Sequence, residues 1–170
     1  EARFDQALAG ARTLELAGYH AIGLDHFARA DDSLTLAART RTLHRNFQGY
    51  TDDPCETLIG IGSTSISQFS DGYVQNFKER TAWRATIEDG RLPVERGVVL
   101  TEDDRLRARA IETLMCQMEV DVDAICDEMN AARGSLADAL ETARFLQSAG
   151  LCQIDGSLIR VPPEARLFLR

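Results

Sequence analysis

The sequence has few cysteines, no excess of positive charge and no long apolar run, and each shortage excludes a class of protein. Four cysteines occur in 170 residues, at positions 55, 116, 126 and 152, too scattered for a compact metal or iron–sulfur loop. No apolar stretch approaches the roughly 20 residues that cross a membrane, and no signal-peptide pattern is present. We therefore expect a cytoplasmic protein with reduced cysteines, no metal site of its own and no membrane partner.

Acidic residues outnumber basic ones, and the formal net charge is -8. Nucleic acids and anionic membranes attract proteins through basic surfaces, so we expect neither as a partner. Residues 1–100 hold 14 acids and 11 bases, whereas residues 101–170 hold 13 acids and 8 bases. Cations that bind an acidic substrate should therefore come from the first part of the chain.

Helical and extended patterns alternate in the first part of the chain. A helix should end at Gly18, followed by a strand at residues 19–24 and a loop at residues 25–27. Asp31 and its neighbours cap a second helix that should run to about residue 43. This order predicts an α/β fold. No methionine precedes the first residue, which we interpret as a cut point within a longer polypeptide.

The middle of the chain reads as strands around one helix. Leu58–Gly62 is predicted to be a short buried strand whose glycines allow a loop or ligand to approach its end. Residues 63–70 should be extended and residues 73–89 helical. Residues 94–100 should be a strand or an extended linker, and a domain boundary near residue 101 divides the chain into residues 1–100 and 101–170.

Residues 101–170 follow the order of a winged-helix domain. A helix starts at Thr101, a second covers about residues 122–132, and Ser135 caps a third that ends at Gly150. A hairpin around the turn Asp155-Gly156 and a short last helix complete the order. The third helix carries two acids against one arginine, so we do not expect it to bind DNA.

The stretch His44–Thr51 combines residue types that core and surface segments seldom place side by side. Its sequence, His-Arg-Asn-Phe-Gln-Gly-Tyr-Thr, mixes basic, amide and aromatic side chains without the period of a helix or a strand. Such a segment is typical of a loop that shapes a site. We expect it to form one site with the glycine-ended strand Leu58–Gly62.

Three segments in order resemble the oxygen-independent coproporphyrinogen III oxidases, which are radical S-adenosylmethionine enzymes of haem synthesis. They are Gly23–Ala28, Leu43–Tyr50 and Leu58–Gly62, the last followed by Ser65-Ile66-Ser67. The resemblance implies that residues 1–100 hold the last strands and helices of a partial (β/α) barrel. It implies that residues 101–170 form a mostly helical, winged-helix-like cap domain.

For the complete protein, the resemblance implies oxidative decarboxylation of coproporphyrinogen III to protoporphyrinogen IX without oxygen. The implied cofactors are S-adenosylmethionine and a [4Fe-4S] cluster, and the implied partners are the porphyrinogen and an electron donor or acceptor. The family's Cys-x-x-x-Cys-x-x-Cys cluster loop is absent from this sequence. The chain is therefore interpreted as a C-terminal fragment that is inactive alone.

Six residues are candidates for the site, and no catalytic residue is assigned. The resemblance implies that Gln48 and Ile66 contact S-adenosylmethionine. Four more follow from residue type and position as candidate substrate ligands, because loop cations suit the propionates of the substrate: His26, Arg29, His44 and Arg45. The alternative for the histidines is a neutral ring that ties one loop to another, and for the arginines a solvated surface.

Two other functions stay open. A haem-handling relative of the same superfamily has Tyr-Trp at the matching place, whereas Thr51 follows Tyr50 here, which favours the oxidase. A non-enzymatic winged-helix interaction module is the second alternative. A dinucleotide site is disfavoured, because Gly60-x-Gly62 lacks the third glycine and no capped helix follows at once.

The cysteine spacing predicts that this polypeptide, purified alone, binds no iron–sulfur cluster. Successive cysteines are 61, 10 and 26 positions apart, so no three thiolates can share a short loop. Anaerobic reconstitution with iron and sulfide should leave neither metal nor sulfide on the protein. Stoichiometric [4Fe-4S] absorbance would contradict this prediction, and the complete protein, reconstituted in parallel, is the positive control.

Overall fold

The structure is a computed structural model that describes the backbone of residues 2–169 and the side chains of residues 4–169. Its elements in chain order are α1 (Ala2–Leu16), β1 (Tyr19–Ile22), β2 (His26–Arg29), α2 (Ser33–Thr40), β3 (His44–Asn46), β4 (Gly49–Thr51), β5 (Ile66–Phe69), β6 (Gly72–Asn76), α3 (Arg80–Glu88), β7 (Val94–Val99), α4 (Glu102–Gln117), β8 (Glu119–Asp121), α5 (Val122–Glu128), α6 (Ala137–Ser148), β9 (Gln153–Asp155), β10 (Leu158–Arg160) and a last 3₁₀ helix (Pro163–Phe168). Across these residues, no helix is long and apolar enough to cross a membrane.

The chain divides into two compact units. The first contains Glu1–Asp53 and Leu106–Arg170, and the second contains Pro54–Arg105. This division differs from a split at residue 100, because the second half of α4 packs with the first two hairpins. In their shared core, Cys116 of α4 lies with Ile22, Leu24 and Tyr50. The division of the chain into two domains, residues 1–100 and residues 101–170, stays a prediction.

In the first unit, β1 and β2 form an antiparallel hairpin. The loop predicted at residues 25–27 is right for Asp25 and wrong for the next two residues, because the turn covers residues 23–25. Gly23 takes φ 54°, a left-handed conformation that glycine adopts readily, so the chain has already reversed when it reaches His26. His26 therefore lies in a strand, paired with Ile22.

Helix α2 begins at its predicted cap and ends earlier than predicted. The Asp32 carboxylate accepts the Leu34 N–H at 2.9 Å, which satisfies one of the unpaired donors of the first turn. Arg41 takes the left-handed conformation at φ 61°, and its N–H bonds back to the helix carbonyls. This conformation ends the helix at Thr40 instead of about residue 43.

The stretch His44–Thr51 forms a second antiparallel hairpin, β3 and β4, with Phe47 and Gln48 as its turn. The prediction that the whole stretch is a loop is therefore wrong. Strand pairing gives His44 and Arg45 a fixed register opposite Thr51 and Tyr50. A three-residue strand is too short to show a period in the sequence.

The C-terminal part of the first unit has the order helix, strand, helix, helix, strand, strand, and its sheet runs β8–β10–β9, all antiparallel. Its core contains Leu106 of α4, Ile125 and Cys126 of α5, and Leu136. The strand β8 was missed in the sequence. Ser135 is not the predicted cap, because its hydroxyl donates to the Ala132 carbonyl and α6 begins after Leu136.

The hairpin turn of this sheet is one residue later than predicted. Leu158 pairs with Asp155, so the two turn residues are Gly156 and Ser157. Gly156 takes φ 62°. The Ser157 hydroxyl donates to Asp121, the cap residue of α5, at 2.8 Å, and this bond anchors the shifted turn.

The second unit is a three-stranded antiparallel sheet in the order β5–β6–β7 with helix α3. The helix predicted from residue 73 is wrong over its first part, because Gly72–Asn76 is the central strand β6 and pairing on both sides outweighs the helical pattern. The helix α3 starts only at Arg80, where the Glu79 carboxylate accepts the N–H groups of Thr81 and Ala82.

The buried strand predicted at Leu58–Gly62 is also wrong. Leu58 makes one isolated bridge to Gln68, and the Ile61 side chain is 89% exposed. Side chains take the place of a strand partner here: the Gly60 N–H donates to the Ser67 hydroxyl, and the Asn76 amide donates to the Gly60 and Gly62 carbonyls. The backbone is thereby satisfied without pairing to a strand on each side.

The mixed α/β class is confirmed. The strands of the described residues pair antiparallel in four separate sheets, rather than in the parallel order of a (β/α) barrel.

The fold requires glycine at position 23, because a Cβ at this position would overlap the Tyr50 ring. Gly23→Ala adds this overlap to the cost of a left-handed alanine, so it should lower the free energy of unfolding by about 3 kcal/mol or more. Gly18→Ala is the matched control. Gly18 has φ 84° with open space around it, and its replacement should cost only about 1 kcal/mol.

Urea unfolding followed by circular dichroism measures both variants. Equal losses of unfolding free energy would show that Tyr50 does not fill the space next to Gly23.

Candidate functional site

Tyr50 is the residue on which the candidate site is built. Its hydroxyl accepts the Leu24 N–H at 2.7 Å and donates to the Met115 carbonyl at 3.0 Å. One buried side chain therefore connects the first hairpin, the second hairpin and α4. Burial raises the pKa of the Tyr50 phenol above its ordinary value, which keeps the hydroxyl protonated as a donor.

Two predicted site residues pack against the Tyr50 ring. The His26 ring meets it edge to face with centroids 5.1 Å apart, and the Arg45 guanidinium lies 4.7 Å from the ring centroid. A cation over an aromatic face is held by the ring quadrupole. The Nη1 atom of Arg45 is buried without a hydrogen-bond partner among the described residues.

Glu112 of α4 contacts two donors of the second hairpin and one donor of its own helix. Its Oε1 lies 3.2 Å from His44 Nδ1 and accepts the Arg45 backbone N–H at 3.3 Å. Its Oε2 accepts from Arg109 at 3.3 Å, and Arg109 also donates to Glu128 at 2.8 Å. The hydrogen bond to Glu128 and the charge of both carboxylates raise the pKa of Arg109.

His26 and Arg29 occupy more open positions. His26 Nδ1 lies 2.9 Å from the Asp25 carboxylate, and its Nε2 comes so near Gly49 that a Cβ there would approach to 3.0 Å. Arg29 is 72% exposed, and its Nε lies 3.8 Å from the Asp31 carboxylate. The structure therefore brings His26, His44 and Arg45 into the network around Tyr50 and leaves Arg29 on the surface.

The two predicted S-adenosylmethionine residues lie in different compact units. Gln48 is exposed at the turn of the second hairpin, where its N–H donates to the Asn46 side chain at 2.7 Å. Ile66 is the first residue of β5 and is half-buried. Each is described in its own unit, and their joint pocket stays a prediction.

Sequence reasoning missed three members of the site. Glu112 and Arg109 lie more than 60 positions from His44, and nothing in a helix rich in acids and arginines marks which of them faces another hairpin. Arg166 of the last 3₁₀ helix is the third: its charge interacts with Tyr50, burial lowers the pKa of its guanidinium, and its Nε has no partner within the described residues. An Arg109–Glu112 pair at three-residue spacing is the only available signal, and it is common on helices.

The described residues do not fit an iron–sulfur cluster. Three of the four cysteines are buried, and burial raises the pKa of the Cys116 thiol to about 12. Such a thiol stays protonated, whereas a cluster needs thiolates. Between residues 2 and 169, no three histidine, cysteine, aspartate or glutamate side chains are grouped so as to hold a metal ion.

Comparison with known proteins shows which family the chain resembles. Residues 100–168 match the HemN C-terminal domain family. The chain is 43% identical, over 99% of its length, to the oxygen-independent coproporphyrinogen III oxidase of Bradyrhizobium diazoefficiens. The chain belongs to the oxygen-independent coproporphyrinogen III oxidase family. The predicted resemblance is thereby confirmed.

Two further members of this family are similar. The anaerobic coproporphyrinogen III oxidase 1 of Cereibacter sphaeroides is 51% identical over 72% of the chain. The solved structure of the Escherichia coli enzyme HemN, described as a radical SAM enzyme, matches 98% of the chain with a TM-score of 0.89 and 35% identity. The chain spans 38% of the Bradyrhizobium relative and 39% of the solved chain.

The hydrogen bonds of Tyr50 predict a loss of stability in Tyr50→Phe. The replacement leaves the Leu24 N–H and the Met115 carbonyl without their partner, and it should lower the free energy of unfolding by about 2–3 kcal/mol. Tyr19→Phe is the control, since Tyr19 makes no hydroxyl hydrogen bond to the described residues. Its unfolding free energy should change by less than about 0.5 kcal/mol.

Thermal and urea unfolding of the two variants beside the parent protein provide the measurement. A Tyr50→Phe protein as stable as Tyr19→Phe would show that the phenolic hydroxyl does not join the three segments.

Proposed function

We propose that the protein containing this chain converts coproporphyrinogen III to protoporphyrinogen IX without oxygen, by a radical S-adenosylmethionine mechanism, and that the chain is its C-terminal part. One observation carries the proposal: 43% identity across 99% of the chain to a relative of that name. The fold match to the Escherichia coli enzyme supports it. We propose the cytoplasm as the location, and an electron donor or acceptor as the further partner.

The radical step of the proposed reaction needs two cofactors that this chain does not hold by itself. When bound, S-adenosylmethionine and the [4Fe-4S] cluster supply the radical that takes a hydrogen from a propionate side chain. The cysteines of this chain do not fit the cluster, so its ligands should come from another part of the complete protein. This chain contributes residues that bind and orient, and it should be inactive alone.

Gln48 and Ile66 are the proposed contacts to S-adenosylmethionine. A glutamine amide offers two donors and an acceptor to polar groups of the ligand, and the exposed hairpin turn leaves the Gln48 side chain available. Ile66 offers an apolar wall without competing hydrogen bonds. Its strand is fixed by pairing to β6, which would hold that wall in place.

His26, His44 and Arg45 are the proposed contacts to the propionates of the substrate. They share one network around Tyr50 with Glu112, and the buried Arg45 Nη1 without a partner adds positive charge to it. Guanidinium and imidazolium groups are good donors to carboxylates. Arg29, the fourth candidate, lies outside this network, on the surface beside Asp31.

The finer fold assignments belong to the same proposal. The helix, strand, helix, helix, strand, strand order of residues 102–160 is that of a winged helix, and we propose that it caps the substrate site. We propose that residues 1–100 hold the closing strands and helices of a partial (β/α) barrel in the complete protein. The hairpins β1–β2 and β3–β4 would then supply side chains at its edge.

The test uses the complete protein with its cluster reconstituted. It should form protoporphyrinogen IX from coproporphyrinogen III anaerobically and bind S-adenosylmethionine. Gln48→Ala and Ile66→Asp should each weaken S-adenosylmethionine binding about tenfold, as expected for one lost contact of roughly 1.4 kcal/mol. Calorimetry with S-adenosylmethionine and product analysis are the measurements.

Gln147→Ala and Ile87→Asp are matched controls, because both positions lie on exposed helix surfaces. They should bind S-adenosylmethionine like the parent protein. Absence of product from the parent protein would refute the proposed reaction. A parent protein that is active, with Gln48→Ala and Ile66→Asp variants of normal affinity, would refute only the placement of the cofactor.

A further inference from the structure

His44 is held on one side and open on the other. Its Nδ1 lies 3.2 Å from Glu112 Oε1, while Nε2 has no hydrogen-bond partner among the described residues. The side chain is 38% exposed. When Nδ1 carries a proton and donates it to the carboxylate, Nε2 is the ring atom left for a ligand.

Glu112 is itself fixed more firmly than a surface carboxylate. Its side chain is 26% exposed and accepts from the Arg45 backbone and from Arg109 as well as from His44. Arg109 is anchored in turn by Glu128. A carboxylate with several donors holds one orientation, so it can impose an orientation and a tautomer on the ring that it contacts.

We propose that Glu112 is a positioning residue that acts through His44, and that His44 Nε2–H donates to a propionate carboxylate of the substrate. This inference rests on the proposed function, because it takes the substrate class from it. The contact requires the imidazolium form, with Nδ1–H toward Glu112 and Nε2–H toward the propionate. No proton is transferred, and the substrate is held by a charge-assisted hydrogen bond.

Charged groups of both signs lie near His44. Glu112 contributes the negative charge, and Arg109 and Arg45 contribute positive charge nearby. The Cys116 thiol, whose pKa is about 12, stays neutral. Thr51, opposite His44 on β4, does not titrate. Substrate affinity should therefore fall as rising pH removes the imidazolium proton.

The experiment is a double-mutant cycle in the complete, reconstituted protein. His44→Ala and Glu112→Ala should each raise the KM for coproporphyrinogen III about tenfold, since a charged hydrogen bond is lost, and should leave kcat within about twofold. The double variant should be no worse than either single variant, because both changes remove one interaction. Glu112→Gln keeps an acceptor for Nδ1–H and should recover part of the KM.

Two readouts separate positioning from a merely structural role. The parent KM should rise with increasing pH, because the contact uses the protonated ring, and His44→Ala should remove this dependence. Glu119→Ala is the matched control: its carboxylate is 24% exposed and binds Arg41 and Arg160, with no histidine. It should lower stability without changing the KM.

Additive effects of the two alanine variants, or an unchanged KM in both Glu112→Ala and Glu112→Gln, would overturn the inference. A pH dependence that survives in His44→Ala would do the same. All of these outcomes require an active parent protein, whereas a parent protein that forms no product would refute the proposed function instead.

Discussion

The Tyr50 hydroxyl is the contact on which the rest of the first unit depends. It joins a backbone N–H of the first hairpin, a strand of the second hairpin and a carbonyl of α4, three segments far apart in sequence. A buried hydroxyl that donates and accepts once fully satisfies itself and both partners, so any shift of one segment leaves an unpaired polar group. Gly23 is required for the same reason, because only a residue without Cβ leaves room for the ring.

The candidate substrate residues pack against the same side chain that stabilises the first unit. The ring that fixes the hairpins also carries Arg45 on one face and meets His26 edge to face, so the candidate substrate residues cannot move independently of the core. The Glu112 network adds a second connection between the same hairpin and α4. A binding site on two short hairpins would otherwise be mobile, since isolated hairpins are marginally stable in water.

Features that depend on neighbouring residues were predicted from the sequence. The stop at Gly18 and the Asp32 cap of α2 needed only neighbouring residues, and both hold in the structure. The helices and the final hairpin of the C-terminal part followed from helix periods and turn residues, although the turn lies one residue later than predicted. Pairing between distant segments could not be predicted. The pattern of β6 indicated a helix, and the isoleucines beside Gly60 indicated a buried strand.

Some residues of the candidate site could be predicted from the sequence and others could not. Residue type and position made His26, His44 and Arg45 candidates, because cationic side chains lie there among amide, aromatic and glycine residues. Glu112 was not identified, because its importance comes only from lying opposite His44 across 68 positions. Gln48 and Ile66 come from family resemblance, and their physical chemistry permits the role without requiring it.

Amide hydrogen exchange at Leu24 tests most directly whether Tyr50 organises this unit. Leu24 follows the end of β1, so its N–H has no strand partner and donates instead to the buried phenol. We expect this amide to exchange as slowly as amides of the core strands, through global unfolding. Exchange at the rate of an open turn would contradict it.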